Sequence, residues 1–145
     1  MRKEVVELER LRQEIEQAEF EAGDKSDYID YGKPNEKQLE QAKKFIAKKN
    51  EETKLLMSQL KDLLLNTSQD IVDEWVNWHK SFLQPIMDET NDKVRVHVAK
   101  QTWADWENVA LRKQEFVRIN WYYLKDYKAM VKKQLPKKHP LAFWK

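Results

Sequence analysis

The sequence predicts an all-α fold: an elongated helical bundle or coiled coil of three to four helices with one long C-terminal helix. Three observations carry this. The 145 residues include only two Gly and four Pro, too few breakers for the many tight turns of a sheet protein. Charged residues make up 36% and aromatic residues 11% of the chain. Charge alone would suggest disorder, but Trp75, Trp78, Trp103, Trp106, Trp121 and Trp144 supply apolar surface that a disordered chain lacks. Finally, apolar residues recur at spacings of three and four along most of the chain, the period of a helix with one buried face.

The first element is an N-terminal amphipathic helix within residues 1–22, started near Lys3 and marked by Leu8, Leu11, Ile15, Ala18 and Ala22. Gly23 stands where a helix commonly ends. Residues 23–34 therefore read as a linker, holding both glycines with Tyr28, Ile29 and Tyr31 set among Asp24, Asp27 and Asp30.

Residues 35–135 form the helical body. Asn35 and Gln38 have the spacing of a capping box. Leu39, Ala42, Ile46, Lys49, Thr53, Leu56, Leu60 and Leu63 then keep a three-four rhythm, with Lys49 and Thr53 as polar interruptions of the kind that fix register. At Asn66-Thr67-Ser68 the rhythm continues toward Ile71, Trp75 and Phe82, while Thr67 with Asp70 offers a second capping box; a break or bend is expected there. Pro85 is expected to end or kink its helix, since it has no N–H and crowds the preceding turn. Val94, Val96 and Val98 alternate like a strand but have no partner strand, and read as the start of the last helix.

That helix is expected from about Asp92 to Gln134. Trp103, Ala110, Val117, Leu124 and Val131 lie seven apart, as do Val109, Phe116, Tyr123 and Met130, and a sustained heptad implies a helix wrapped on a partner. Pro136 ends it. Residues 136–145 form an extended basic-aromatic tail in which Leu141, Phe143 and Trp144 are apolar.

No motif points to catalysis, and the expectation is a protein that is not an enzyme, with no cofactor, no metal and no small-molecule substrate. There is no cysteine, and His79, His97 and His139 are far apart. Glu-x-x-His pairs, His-Glu-x-x-His, Gly-rich phosphate loops and Gly-x-Ser-x-Gly are missing. The carboxylates fit solvated helix faces with Lys and Arg neighbours. The two Trp-x-x-Trp pairs, Trp75/Trp78 and Trp103/Trp106, are expected to pack against each other inside the bundle.

Binding is the remaining class. Trp121 and Tyr122 point off the heptad seam, and with Leu141, Phe143 and Trp144 they are the candidate partner-binding residues for a scaffold, adaptor or accessory subunit. The partner is a protein or a second copy of the chain. Charge offers an alternative. Residues 1–36 hold six Lys/Arg against eleven Asp/Glu, whereas residues 112–145 hold ten against two. Arg112, Lys113, Arg118, Lys125, Lys128, Lys132, Lys133, Lys137 and Lys138 are thus candidates for nucleic-acid or polyanion binding. Membrane-surface binding is disfavoured, because one short tail is a weak anchor. With no apolar signal core after Met1-Arg2-Lys3-Glu4 and no run near the ~20 apolar residues that span a bilayer, the expected location is the cytoplasm or an organelle matrix. A soluble, unsecreted chain is expected.

Overall fold

The computed structural model describes residues 2–89 and 91–112, and all regular structure among them is helical: α1 (Lys3–Tyr31), α2 (Glu36–Asn66), α3 (Gln69–Glu89) and α4 (Lys93–Ala110). The chain divides into two compact units. Among the described residues, the first joins residues 2–10 to residues 63–112, and the second is Leu11–Asp62. None of the described helices is long and apolar enough to cross a membrane.

In the first unit, α3 and α4 pack antiparallel. Gln69 Nε2 at the start of α3 donates to the carbonyl of Ala110 at the end of α4 at 2.8 Å, Trp75 meets Trp106 edge to face at 4.9 Å, and Lys80 lies over the Trp103 ring. The core face of α3 is Val72, Trp75, Val76, His79, Phe82, Leu83 and Ile86, a helical stripe of threes and fours. Ala99, Thr102, Trp106 and Val109 form the facing stripe of α4. The expected mutual packing of the two Trp pairs is therefore seen through one member of each. The first turns of α1 run beside α3 in the same direction, held at the outset by Arg2, which donates to Asp70 and Glu74. A hydrogen bond from Ser68 and then the Arg2 guanidinium hold the Asp70 carboxyl below its ordinary value.

The second unit is an α1–α2 hairpin. Lys49 Nζ meets Glu21 at 2.7 Å and Glu52 at 3.2 Å, and Lys25 Nζ lies 5.4 Å from the centre of the Phe45 ring. The capping box that opens α2 is formed as its spacing suggests: Gln38 N–H donates to Asn35 Oδ1 at 2.8 Å, and Asn35 N–H donates to Gln38 Oε1 at 3.0 Å.

The helix boundaries match the sequence reading only in part. The helix predicted for residues 1–22 continues to Tyr31, so residues 23–34 are mostly helix and not a linker. Gly23 takes a negative φ, and a mid-helix glycine costs only about 1 kcal/mol against alanine. The stop lies at Gly32, where a Cβ would come within 2.7 Å of the Tyr28 carbonyl oxygen and ring, followed by Lys33 at φ 50°. A break does fall between α2 and α3, but the second capping box is not made. Thr67 Oγ1 instead bonds back to the Leu63 carbonyl at 2.6 Å, and Ser68 supplies the carbonyl that opens α3. Pro85 lies inside α3. It removes one i,i+4 bond to Ser81, while buried Phe82, Leu83 and Ile86 hold the turn on either side. Finally, α4 begins as expected, with Asp92 Oδ1 accepting from the N–H groups of Val94 and Arg95. It closes at Ala110, with Leu111 as its cap and Arg112 at φ 54°, so no single helix runs on through residues 111–112. Val117, Leu124, Val131 and the tail lie outside the described residues.

The hairpin pair sets a pH dependence. Chiefly through its hydrogen bond with Lys49, the Glu21 carboxyl is held below its ordinary 4.5. A depressed carboxylate contributes stability above its unfolded value and loses it as pH falls through the folded one. Lys49→Met should therefore lower the melting temperature at neutral pH, with the deficit against wild type shrinking as pH drops below 4.5. Thermal melts of both proteins across that range check this.

Candidate functional site

The most concentrated chemistry among the described residues is a buried polar-aromatic centre in the first unit. Its elements are the second turn of α1, the middle of α3 and the last turns of α4. Helical spacing puts Glu9 beside the Val5–Leu8 edge of α1, His79 one turn beyond Trp75 on α3, and Trp106 opposite both. Glu9 Oε1 accepts from Trp75 Nε1–H at 3.1 Å and meets His79 Nε2 at 2.5 Å. An indole N–H only donates, so this oxygen is an acceptor toward Trp75, and it shares one hydrogen with His79 Nε2. The imidazole stacks on Trp106, centroids 3.9 Å apart and planes 12° from parallel. Trp75 and Trp78 meet it edge-on. The Trp106 Nε1–H is buried without a hydrogen-bond partner among the described residues, and stacking and edge contacts hold that ring.

A carboxylate hydrogen-bonded to an imidazole is also the orienting half of many catalytic sites. Here Glu9 and His79 are both completely shielded from solvent, so no substrate atom reaches either group in this conformation. The arrangement is suited to fixing three helices in register. No group of three or more His, Cys, Asp or Glu side chains among the described residues is placed to hold a metal ion.

A second concentration lies on the surface of the α1–α2 hairpin. Gln17, Glu21, Asp24, Tyr28 and Tyr31 share one face of α1, spaced i, i+4, i+7, i+11 and i+14. Gln41, Phe45, Lys48, Glu52 and Leu55 repeat that spacing on α2. Lys25 Nζ lies between the Tyr28 and Phe45 rings, 5.3 and 5.4 Å from their centres, which puts both rings on the same side of the hairpin. Tyr31 is 82% exposed and Leu55 61%. Tyr28 and Phe45 are half-buried.

Of the candidate partner-binding and polyanion-binding residues read from sequence, only Arg112 falls among those described. Its guanidinium donates to the carbonyls of Leu65, at 3.2 Å, and Thr67, satisfying acceptors that the end of α2 would otherwise leave open. The structure thus gives Arg112 a capping role. Trp121, Tyr122, Leu141, Phe143, Trp144, Lys113, Arg118, Lys125, Lys128, Lys132, Lys133, Lys137 and Lys138 lie outside the described residues. Sequence reasoning missed Glu9 and His79, although His79 falls on the Val72–Trp75–Phe82 stripe. It also missed the hairpin face, because taking Gly23 as a stop removed Tyr28 and Tyr31 from any helix. No family model, no curated protein and no solved structure matches the chain.

If the centre is a structural lock, His79→Leu should cost about 3 kcal/mol, because it leaves a buried carboxyl oxygen short of a partner and removes a stacked ring. Glu9→Gln should cost less, about 1–2 kcal/mol, since an amide still offers both neighbours a hydrogen bond. Urea unfolding at neutral pH measures both, and a His79→Leu cost below about 0.5 kcal/mol, the surface range, contradicts the lock.

Proposed function

We propose that the chain is a non-catalytic protein-protein interaction module, a scaffold or accessory subunit of a larger assembly. One observation supports this most. Helix α2 has 31 residues, of which only Ala42 and Leu60 are buried, and it shares a hairpin with exposed Phe20, Tyr31 and Leu55. Helices in water draw most of their stability from packing an apolar face, and a hairpin that buries so little of α2 gains from a partner supplying more.

The basic-aromatic end extends the same reading. Trp121 and Tyr122 off the heptad seam, and Leu141, Phe143 and Trp144 in the Pro136–Pro140 segment, form a second contact region. The seven-residue spacing of Val117, Leu124 and Val131 fits an apolar stripe offered to a partner. Two prolines favour an extended path, which lowers the ordering cost on docking.

Truncation after Leu135, read by thermal melting and by partner capture together, tests the tail. The expected result is an unchanged melt with capture lost. Capture that survives intact makes the tail inert, and a collapsed melt means that it stabilises its own bundle. A full-length chain that captures nothing, yet holds DNA or RNA with sub-micromolar affinity at physiological salt of about 0.15 M, contradicts the reading as a whole.

A further inference from the structure

We infer that the face of the hairpin carrying Tyr28, Tyr31, Phe45 and Leu55 pairs with the same face of a second copy of this chain, forming an antiparallel four-helix bundle. The inference rests on the interaction reading above and names its partner.

The argument begins with charge. Along this face α1 presents Asp24, and α2 presents Lys48. Both are exposed, and neither makes an ion pair among the described residues, whereas nearby Lys49 and Lys44 are both paired. The Glu21–Lys49 bridge sets the hairpin register, so Asp24 is level with a position two residues from Lys48. That offset is about 3 Å at 1.5 Å per residue. A two-fold axis parallel to the helices lays α1 of one copy over α2 of the other and preserves these levels. Asp24 then faces Lys48 of the second copy, and the same contact recurs on the other side of the axis, as an isologous interface requires.

The remaining positions agree with that register. Tyr28 meets Phe45 of the second copy, adding an aromatic pair at the centre. Tyr31 falls over Gln41, and Leu55 over Gln17, where their exposed surface is covered. Glu21 comes opposite Glu52, a like-charge approach, but in each chain Lys49 already bridges both carboxylates, at 2.7 and 3.2 Å. The opposing acidic groups thus arrive with a cation between them. Every neighbouring helix pair in the resulting bundle is antiparallel, the arrangement found in up-down four-helix bundles.

The test is sedimentation equilibrium of the full chain and of charge-exchanged variants at surface positions, with circular dichroism melts to verify that each folds. Wild type should show a monomer–dimer equilibrium. Asp24→Lys and Lys48→Asp should each weaken it at least about tenfold, because two like-charge contacts then face each other across the axis. Mixing the two single variants in equal amounts should restore association as a heterodimer, since both contacts are then opposite in sign. Tyr31→Glu should weaken dimerisation without altering the monomer melt. Wild type that stays monomeric to about 200 µM, far above the micromolar range of specific pairing, overturns the inference. So does a variant mixture that associates no better than its parts, which would mean that another partner or another surface is used. A monomer that still captures a different protein through residues 136–145 overturns the pairing and leaves the interaction reading standing; loss of both removes both.

Discussion

Moving a carboxylate out of water costs several kcal/mol unless hydrogen bonds and polar partners meet it inside, and in the first unit that condition is met at Glu9. Its oxygen is reached by Trp75 and His79 from α3, and the imidazole it orients is stacked on Trp106 from α4. Each contact is directional, so the three helices cannot slide past one another without leaving a buried polar group unmet. A Leu or Val in place of Glu9 would fill similar space but accept many registers. The surrounding Val5, Leu8, Val72, Leu83 and Val109, all buried, supply the bulk of the apolar driving force. The Glu9 contacts decide which arrangement that force stabilises.

The hairpin of the second unit is built on the opposite plan. Its specificity comes from half-exposed contacts, Lys49 with Glu21 and Lys25 over Tyr28 and Phe45, which are screened by solvent and individually weak. Its apolar burial along α2 is slight. One unit therefore has a core that specifies itself, whereas in the other the buried residues lie mostly on α1 (Leu11, Arg12, Gln13, Ile15, Ala18 and Ala22) and α2 buries only Ala42 and Leu60. This contrast underlies the proposal that binding resides in the hairpin, where further burial has most to add.

What could be read from the sequence was what nearest neighbours decide. The Asn35–Gln38 box is a four-residue event and formed as read; so did the start of α4 at Asp92 despite three alternating valines. The helical class followed from periodicity, which needs no knowledge of partners. Gly23 misled, and Pro85 does not end its helix, because a local penalty of about 1–3 kcal/mol can be outweighed by packing along the rest of a helix. Such packing is invisible to a reading that treats each breaker alone. Glu9 and His79 lie 70 residues apart, and nothing in either flank says that they meet. The heptad that starts at Trp103 continues in the sequence past Ala110, but the turn at Leu111–Arg112 shows that period alone does not guarantee an unbroken helix. Arg112 looked like surface charge, and its use as a cap for α2 depends on a contact 47 residues away.

The central claim is that the first unit is stable through its own core while the hairpin draws stability from association. Amide hydrogen exchange at two protein concentrations tests it most directly, because protection reports local opening free energy segment by segment. Amides of α3 around Trp75–Leu83 should be strongly protected and independent of concentration. Those of residues 36–55 should exchange faster in dilute solution and gain protection as concentration rises. Equal, concentration-independent protection in both segments would contradict the account.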